Sequence, residues 1–449
     1  MTYQEAVHYL NGFLNYEQVV TYRYPEAFSL DRISHLMGQL GHPHRRYPTL
    51  HVAGTKGKGS TCAFAASILQ AAGLQVGLYT SPHLISFRER IQINGQPIPE
   101  EDLVGVVEQI QPFVSPDLTY FEVTTACAFL HFALEKVEVA VIEVGLGGRL
   151  DATNVLEPAV TGITPISLDH MTKLGNSLGK IALEKAGILK SSVPLVMGIQ
   201  EPEASEVIRR VASAQIAPLH PVEQEVKAEI LRVDRNGTRC RLKTPAGFYP
   251  DLFIPLLGRH QVMNAAMAIR MVELLAGCPG RFSLLEESVR KGIARTSWPG
   301  RCQWFGEIPP LFLDGAQNTA SAEVLRRSVE ELFPGRRVTL VLGVSLDKDL
   351  EGMAQVFGPW ADRLLLTRAL VPRAESPEVL AQLFRPWHPH PLILGSVPEA
   401  IGRARSETRP QDLIVVSGSL FVVGEALQAL TLSARDVVGA GVSKTESLR

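Results

Sequence analysis

The 449-residue chain predicts an α/β protein of two domains. Short apolar runs alternate with helical patterns twice, over residues 49–164 and again over 310–417. Such alternation implies mainly parallel sheets covered by helices. From Glu225 to Leu257 the texture changes to alternating strands, with an Asn236-Gly237 hairpin signal between "EILRVD" and "TRCRLKT". That stretch predicts a small antiparallel sheet attached to the first domain. The chain is also too long for one hydrophobic core.

Each element follows from its own residues. Tyr3 to Tyr16 and Ser29 to Leu40 read as helices, with Ser29 as an N-cap before Leu30-Asp31-Arg32-Ile33. Thr49–Ala53, Val76–Tyr79, Val139–Val144 and Val160–Thr164 read as strands, and Ser60 to Ala72 and Phe121 to Leu134 as helices. A helix over Gln261 to Ala276 follows the antiparallel stretch. "TSWPGRCQW", Thr296 to Trp304, carries Pro299-Gly300 and reads as a linker. The expected domains are 1–295, a linker 296–300, and 301–449. In the last of these, Pro310–Leu313, Val338–Gly343, Arg363–Leu366 and Asp412–Ser417 read as strands and Ala320 to Phe333 as a helix. The closing "GVSKTESLR" and its neighbours read as a frayed tail.

Composition excludes several classes. A net charge of −2 gives no basic footprint for nucleic acid. The longest apolar runs, such as Val139–Ile142 and Val338–Leu342, are of strand length and too short to span a membrane. The N-terminus carries Glu5 early and lacks a basic region, so it does not read as a signal peptide. Cys62, Cys127, Cys240, Cys278 and Cys302 contain no CxxC pair, which fits reduced thiols and a cytoplasmic location.

The chemistry concentrates in glycine-rich turns after strands. "AGTKGKGST", Ala53 to Thr61, nearly matches a nucleotide-binding P-loop, but only two residues separate Gly54 from Gly57-Lys58 and Gly59 precedes Ser60. Between a strand and a helix, such glycines let backbone N–H groups converge on phosphate, and the helix N-terminus adds positive potential. Lys58 could reach β/γ-phosphates and Ser60 or Thr61 could meet Mg²⁺; the bland alternative is a tight turn. A second turn, Val144 to Asp151, lacks the last glycine of the dinucleotide fingerprint, where Leu150 stands. Glu143 ends the very apolar strand before it, where an acid needs a metal or a cation such as Arg149. "ITPISLDHMTKLG" places Asp169-His170 beyond another strand, as a metal ligand or a hydrogen-bonded structural histidine. "TSPHLISFRERI" reads as a loop, and Glu184-Lys185 as a charged helical turn.

In combination these stretches resemble the folylpolyglutamate synthase/dihydrofolate synthase family of the Mur ligase superfamily. The segments carrying the likeness include "LHVAGTKGKGST", "YTSPHLISFRERIQING", "LTYFEVTTACAFLHF", "VIEVGLGGRLDATNV", "ITPISLDHMTKLG", "IALEKAGILK", "GRHQVMNAAMAI", "WPGRCQWF", "LFLDGAQNTAS", "LGVSLDKD" and "VVSGSLFVVGEA". The resemblance implies a P-loop ATPase domain followed by a smaller Rossmann-like domain. It implies ATP held by the loop Gly54, Thr55, Lys56, Gly57, Lys58, Gly59, Ser60 and Thr61, with Asn264, Arg301 and Asp314 completing the nucleotide site. A pair of magnesium ions would sit on Ser81, Glu143 and His170, and Lys185 would be carried as a carbamate. Phe121, Glu122, Thr124, Leu150 and Asp151 would lie near the pterin, and Ser417 and Ser419 near the incoming glutamate. Lys58, Lys185, His170 and Asp314 would be the catalytic set.

The implied reaction adds L-glutamate to dihydropteroate, to tetrahydrofolate (poly)glutamates, or to both, through an acyl phosphate, releasing ADP and phosphate. The implied enzyme is monomeric, with no nucleic-acid or membrane partner. The alternatives are a folylpolyglutamate synthase alone, or a Mur-type ligase with another carboxylate substrate. A nucleotide switch is disfavoured, because the chain has no Asn/Thr-Lys-x-Asp guanine-reading motif. One departure stands out: the family's Asp-Gly-Ala-His-Asn motif is here Asp314-Gly315-Ala316-Gln317-Asn318. Glutamine keeps hydrogen bonding but cannot become cationic.

Overall fold

A computed structural model describes residues 1–19, 28–278 and 280–441. These divide into two compact units, Met1–His83 with Phe87–Trp298, and Leu84–Ser86 with the chain from Pro299 onward.

The first unit is built on β1 (Thr49–Ala53), β2 (Val76–Tyr79), β3 (Ile91–Ile93), β4 (Gln96–Pro97), β5 (Val139–Glu143), β6 (Val160–Ile163), β7 (Leu195–Met197) and β8 (Leu219–Pro221). They form one sheet in the order β4-β3-β2-β5-β1-β6-β7-β8. The six strands from β2 to β8 in that order are parallel, and β3 and β4 extend the sheet antiparallel. Every residue of β1, β2, β5 and β6 is buried, as expected of parallel strands covered on both faces. Side-chain alternation divides β5 between two cores. Val139 and Val141 pack with the helices Lys58–Ala71 and His260–Ala276, while Ala140 and Ile142 pack with the helix Tyr120–Leu134 on the other face.

The small sheet comprises β9 (Lys227–Asp234), β10 (Gly237–Lys243) and β11 (Phe248–Ile254), ordered β11-β10-β9 and antiparallel throughout. Its hairpin loop is Arg235-Asn236, one residue earlier than an Asn-Gly turn. Gly237 opens β10 at φ +148, where a Cβ would lie 2.3 Å from the Ile254 carbonyl oxygen. The inward side of β10 places Cys240 and Leu242 in the core shared with the helix His260–Ala276.

The second unit holds β12 (Gln303–Phe305), β13 (Leu311–Leu313), β14 (Val338–Leu342), β15 (Arg363–Leu366), β16 (Leu392–Ile393) and β17 (Leu413–Ser417), ordered β12-β13-β17-β14-β15-β16. All but β12 run parallel. Gln303 and Trp304, read above as linker, are therefore part of an edge strand. Leu84 packs into this unit's core, and a Cβ on Gly424 would meet the Leu84 carbonyl oxygen at 2.1 Å.

Two further expectations shift. The first helix is Tyr3–Asn11, ended at Gly12; it does not reach Tyr16. Residues 12–19 serve another element instead, since Leu14 accepts the Tyr120 amide at 3.0 Å. The last helix runs Leu420–Gly441, so the expected tail beyond it lies outside the described residues.

Candidate active site

Loops gather at one edge of the first unit's sheet because β2, β5, β1 and β6 are parallel neighbours. Their carboxyl ends lead into Thr80-Ser81, Val144-Gly145, Gly54 and Thr164 respectively. That edge is where open α/β sheets bind ligands.

The loop after β1 needs its glycines. Gly54 stands at φ +141, and a Cβ there would lie 1.8 Å from Thr164 Oγ1. Gly57 caps the helix Lys58–Ala71 at φ +84, and its Cβ would meet Asn264 Oδ1 at 2.4 Å. Gly59 faces Trp298 Nε1 at 2.9 Å in the same sense. Asn264 Nδ2 donates to Gln261 Oε1 at 2.9 Å, which orients its amide over the loop.

The Thr55 and Lys56 amides both donate to the Pro165 carbonyl oxygen, at 3.1 and 3.2 Å. Those two N–H groups therefore serve the loop's own fold. The amides of Lys58, Gly59 and Ser60 open the helix, where the first N–H groups have no intrahelical acceptor. The candidate cradle for a phosphate thus narrows to Gly57–Ser60. Ser60 and Thr61 are buried, and the Thr61 hydroxyl has no hydrogen-bond partner among the described residues.

Around this cradle stand charged groups from three strands. Lys58 Nζ lies 3.9 Å from Glu143 Oε1, and Glu143 Oε2 accepts the Ser81 amide at 3.2 Å. Glu143 is only 5% exposed. Its alternative partner, Arg149, pairs with Glu184 at 2.9 Å. Lys56 Nζ reaches Asp169 Oδ2 at 3.4 Å, and His170 Nε2 stands 3.9 Å from Asp169 Oδ1. His170 takes φ 50 and begins a one-turn helix.

Lys185, on the helix Leu178–Ala186, is 5% exposed and donates to the Gly54 carbonyl oxygen at 2.8 Å. Burial, reinforced by Lys58 and Lys56, pushes its ammonium down to about 7 against the pull of Asp169 and Asp151. A lysine so placed is substantially a free amine near neutrality.

The residues expected near the pterin cluster at the N-terminus of the helix Tyr120–Leu134. The Phe121 ring covers Gly145, where a Cβ would lie 2.6 Å from it, and tilts against Tyr79 at 6.0 Å between centroids. Thr124 Oγ1 donates to the Phe121 carbonyl oxygen at 3.2 Å, and Tyr79 Oη lies 3.2 Å from it. Glu122 completes a capping box with Thr119 and accepts Arg32 Nε at 3.0 Å. Asp151 accepts the Gly145 and Leu146 amides on one oxygen and the Thr153 amide and hydroxyl on the other. Its carboxylate is thereby the internal brace of the second glycine turn, beside the half-buried Leu150.

The second unit repeats the arrangement at the carboxyl ends of β13 and β17. Asp314 Oδ2 accepts the Cys302 amide at 2.8 Å, and the Asp314 amide donates to the Val416 carbonyl oxygen at 3.1 Å. Arg301 lies beside Gly315, whose Cβ would stand 3.1 Å from its guanidinium. Ser417 is fully buried at the end of β17, and Ser419 Oγ caps the following helix by accepting the Val422 amide at 3.2 Å. The Gln317 amide donates to Ser321 Oγ at 3.0 Å, leaving its side chain half-buried.

Sequence reasoning gave no role to Trp298 or Thr164, and named Asp169 only as the neighbour of His170. The first two press on glycines of the loop from distant sequence, and only Asp169, next to His170 after a strand, carried a local signal. Among the described residues, a separate trio with ligand atoms within 4.8 Å of one another is Asp102, His131 and Glu135; it shares no residue with the expected metal set.

Comparison with known proteins agrees over most of the chain. Residues 52–272 match the Mur ligase middle domain, and residues 300–420 match the Mur ligase glutamate ligase domain. The dihydrofolate synthase/folylpolyglutamate synthase of Bacillus subtilis is 36% identical, over 95% of this chain and 99% of the relative. Mycobacterium tuberculosis folylpolyglutamate synthase complexed with ADP superposes with a TM-score of 0.86 at 34% identity, covering 95% and 97% of the two chains. E. coli FolC in complex with DHPP and ADP superposes with a TM-score of 0.84 at 31% identity, covering 97% and 99%.

Proposed function

The chain belongs to the folylpolyglutamate synthase/dihydrofolate synthase family of Mur ligases and is an ATP-dependent ligase that attaches glutamate to folates; on that premise we propose that it serves two acceptors, dihydropteroate and tetrahydrofolate (poly)glutamates. The double name of the Bacillus subtilis relative and the DHPP held by the E. coli structure support both acceptors. Within the chain, the observation that carries the reading is the meeting of Lys58, Glu143 and Ser81 beside a cradle of helix-opening amides.

A carboxylate is a poor electrophile. The γ-phosphoryl group passes to its oxygen, giving an acyl phosphate with a good leaving group. The glutamate amine then attacks the carbonyl carbon, the carbon–oxygen bond to phosphate breaks, and the amine gives up a proton. The products are an amide, ADP and phosphate. Phosphoryl transfer asks chiefly for positioning and charge neutralisation, which the Gly57–Ser60 amides and Lys58 supply. Asn264 holds the loop's shape at Gly57. We assign Arg301 and Asp314 to the nucleotide, Ser417 and Ser419 to the incoming glutamate, and Phe121, Thr124 and Leu150 to the pterin, with Glu122 and Asp151 bracing that wall.

The residues fit magnesium. Glu143 is a hard oxygen donor kept buried beside a cation and an amide, and Ser81 adds a hydroxyl, a set suited to an ion that takes few protein ligands alongside phosphate and water. Ser81, Glu143 and His170 would hold it, and bound there it would neutralise charge on the transferring phosphoryl group. Lys185 we assign as a carbamate: its free amine attacks CO₂, a nitrogen–carbon bond forms, and a proton leaves to solvent. ¹³CO₂ labelling and intact mass test that assignment; a Lys185→Met variant that takes up label equally would remove it. We place the enzyme in the cytoplasm, in keeping with its five free cysteines; no described helix is long and apolar enough to cross a membrane.

The deciding experiment gives purified protein ATP, Mg²⁺ and labelled glutamate, with dihydropteroate or tetrahydrofolate as acceptor. Labelled product is expected from both. Product from tetrahydrofolate alone reduces the enzyme to a folylpolyglutamate synthase, and ADP release indifferent to glutamate or to pterin removes the ligase reading.

A further inference from the structure

Among the described residues Arg90 is the largest of the fully buried side chains, 2% exposed, and the reaction outlined above gives it no part. A buried guanidinium is tolerated only when its charge and donors are met. Here they are met by three partners. Nη1 and Nη2 donate to the two oxygens of Glu17 at 2.8 and 2.6 Å, and Nε donates to His83 Nδ1 at 2.8 Å. The plane also covers the Tyr120 ring, 5.4 Å from its centroid. The Arg90 carbonyl oxygen accepts the Thr80 amide at 3.0 Å.

These bonds have a common consequence. Arg90 grips the loop Thr80-Ser81-Pro82-His83 at both ends, by its carbonyl on Thr80 and its Nε on His83. Between those two grips lies Ser81, whose amide donates to Glu143. His83 must offer Nδ1 as an acceptor, so its proton sits on Nε2. Glu17 in turn is seated by Asn15, whose Oδ1 accepts the Glu17 amide at 2.9 Å.

We propose that Arg90, oriented by Glu17, is a positioning residue that sets Ser81 against Glu143 through its two grips on the loop, and so tunes the affinity of that pair for a divalent cation. Arg90 touches no reacting atom in this scheme. The bidentate Glu17 contact fixes the guanidinium plane, which a single contact would leave free to rotate. Partners one shell out from metal ligands commonly matter at this level. The inference rests on the assignment of Ser81 and Glu143 to magnesium, and the experiment separates the two.

Mn²⁺ binding to the full-length protein, saturated with a non-hydrolysable ATP analogue, is measured by electron paramagnetic resonance. Ser81→Ala, Glu17→Gln, His83→Leu and His83→Asn are compared with wild type, with circular dichroism as the folding control. Glu17→Gln and His83→Leu should each weaken Mn²⁺ binding about tenfold. His83→Asn, which keeps an acceptor, should recover most of the loss, a rescue that a merely structural histidine would not give. If Ser81→Ala binds Mn²⁺ like wild type, the assignment of Ser81 to metal is wrong and the inference goes with it. If Ser81→Ala is weakened while folded Glu17→Gln and His83→Leu are not, the positioning role alone is overturned. Should Glu17→Gln fail to fold, the His83 pair decides: equal affinities for Leu and Asn reject the proposal.

Discussion

Gly57 and Lys185 show how single residues carry the site. At φ +84 with Asn264 Oδ1 2.4 Å from a would-be Cβ, Gly57 admits no side chain without backbone strain and a shift of Asn264 or of the loop. Gly57→Ala should lower kcat/KM for ATP on the order of 10²-fold, read as ADP release, because small misplacements of phosphate-positioning groups are costly. Lys185 predicts a pH dependence. Its folded pKa of about 7 lies below the ordinary 10.5, so between those values the unfolded chain holds a proton that the folded chain has released. Stability therefore rises with pH across that window, and the burial cost is present in full below pH 7. Denaturant melts in CO₂-free buffer should show wild type gaining on Lys185→Met from pH 7 toward pH 10; a constant gap would refute the shifted lysine. At this scale the loop glycines were legible, because φ preference is a property of a few adjacent residues. Trp298 and Thr164 were not, because what makes them matter is a close approach from far along the chain.

Among the elements, the helix Tyr120–Leu134 shows what local signals can and cannot tell. Its capping box, Thr119 with Glu122, is a motif visible in "LTYFEVTTA", and its apolar run marked the helix at once. What the sequence did not disclose is the service the first turn performs. Phe121 covers the second glycine turn, Glu122 holds Arg32, and the Tyr120 amide is received by Leu14. Thr119→Ala should cost about 1 kcal/mol in chemical denaturation. It should also raise the KM for the pterin substrate more than that for ATP, because the turn that loosens carries Phe121 and not the phosphate cradle. Equal effects on both would argue against a pterin wall here. The parallel strands were the most legible elements, since unbroken apolar runs such as Val139–Ile142 suit strands covered on both faces. The short strands β3, β4, β7, β8 and β16, at or next to the sheet edges, were missed. Two or three residues leave too little periodicity to read, and their identity depends on neighbours they pair with.

For the whole molecule, the sequence showed two α/β halves and a small antiparallel sheet, but not the path of the chain between units. Leu84–Ser86 looks in sequence like the tail of a loop in the first unit. In space it belongs with the residues from Pro299 onward. No periodicity marks three residues as belonging elsewhere, and only the packing of Leu84 against Gly424 and Gly300 reveals it. The chain thus passes between the units at 83/84, 86/87 and 298/299, where a two-domain reading supposes one crossing.

That loan of three residues bears on how such a protein can be rearranged. The glutamate ligase domain recognised over residues 300–420 looks like a module that duplication or recombination could move intact. Moved alone, it would leave behind the leucine that fills its core between Gly300 and Val423. A chimaera of two relatives would have to exchange the residue at position 84 together with those at 300, 423 and 424, although more than two hundred positions of sequence lie between them. The second unit is thus made of two separate stretches of chain, and only together do they complete its core.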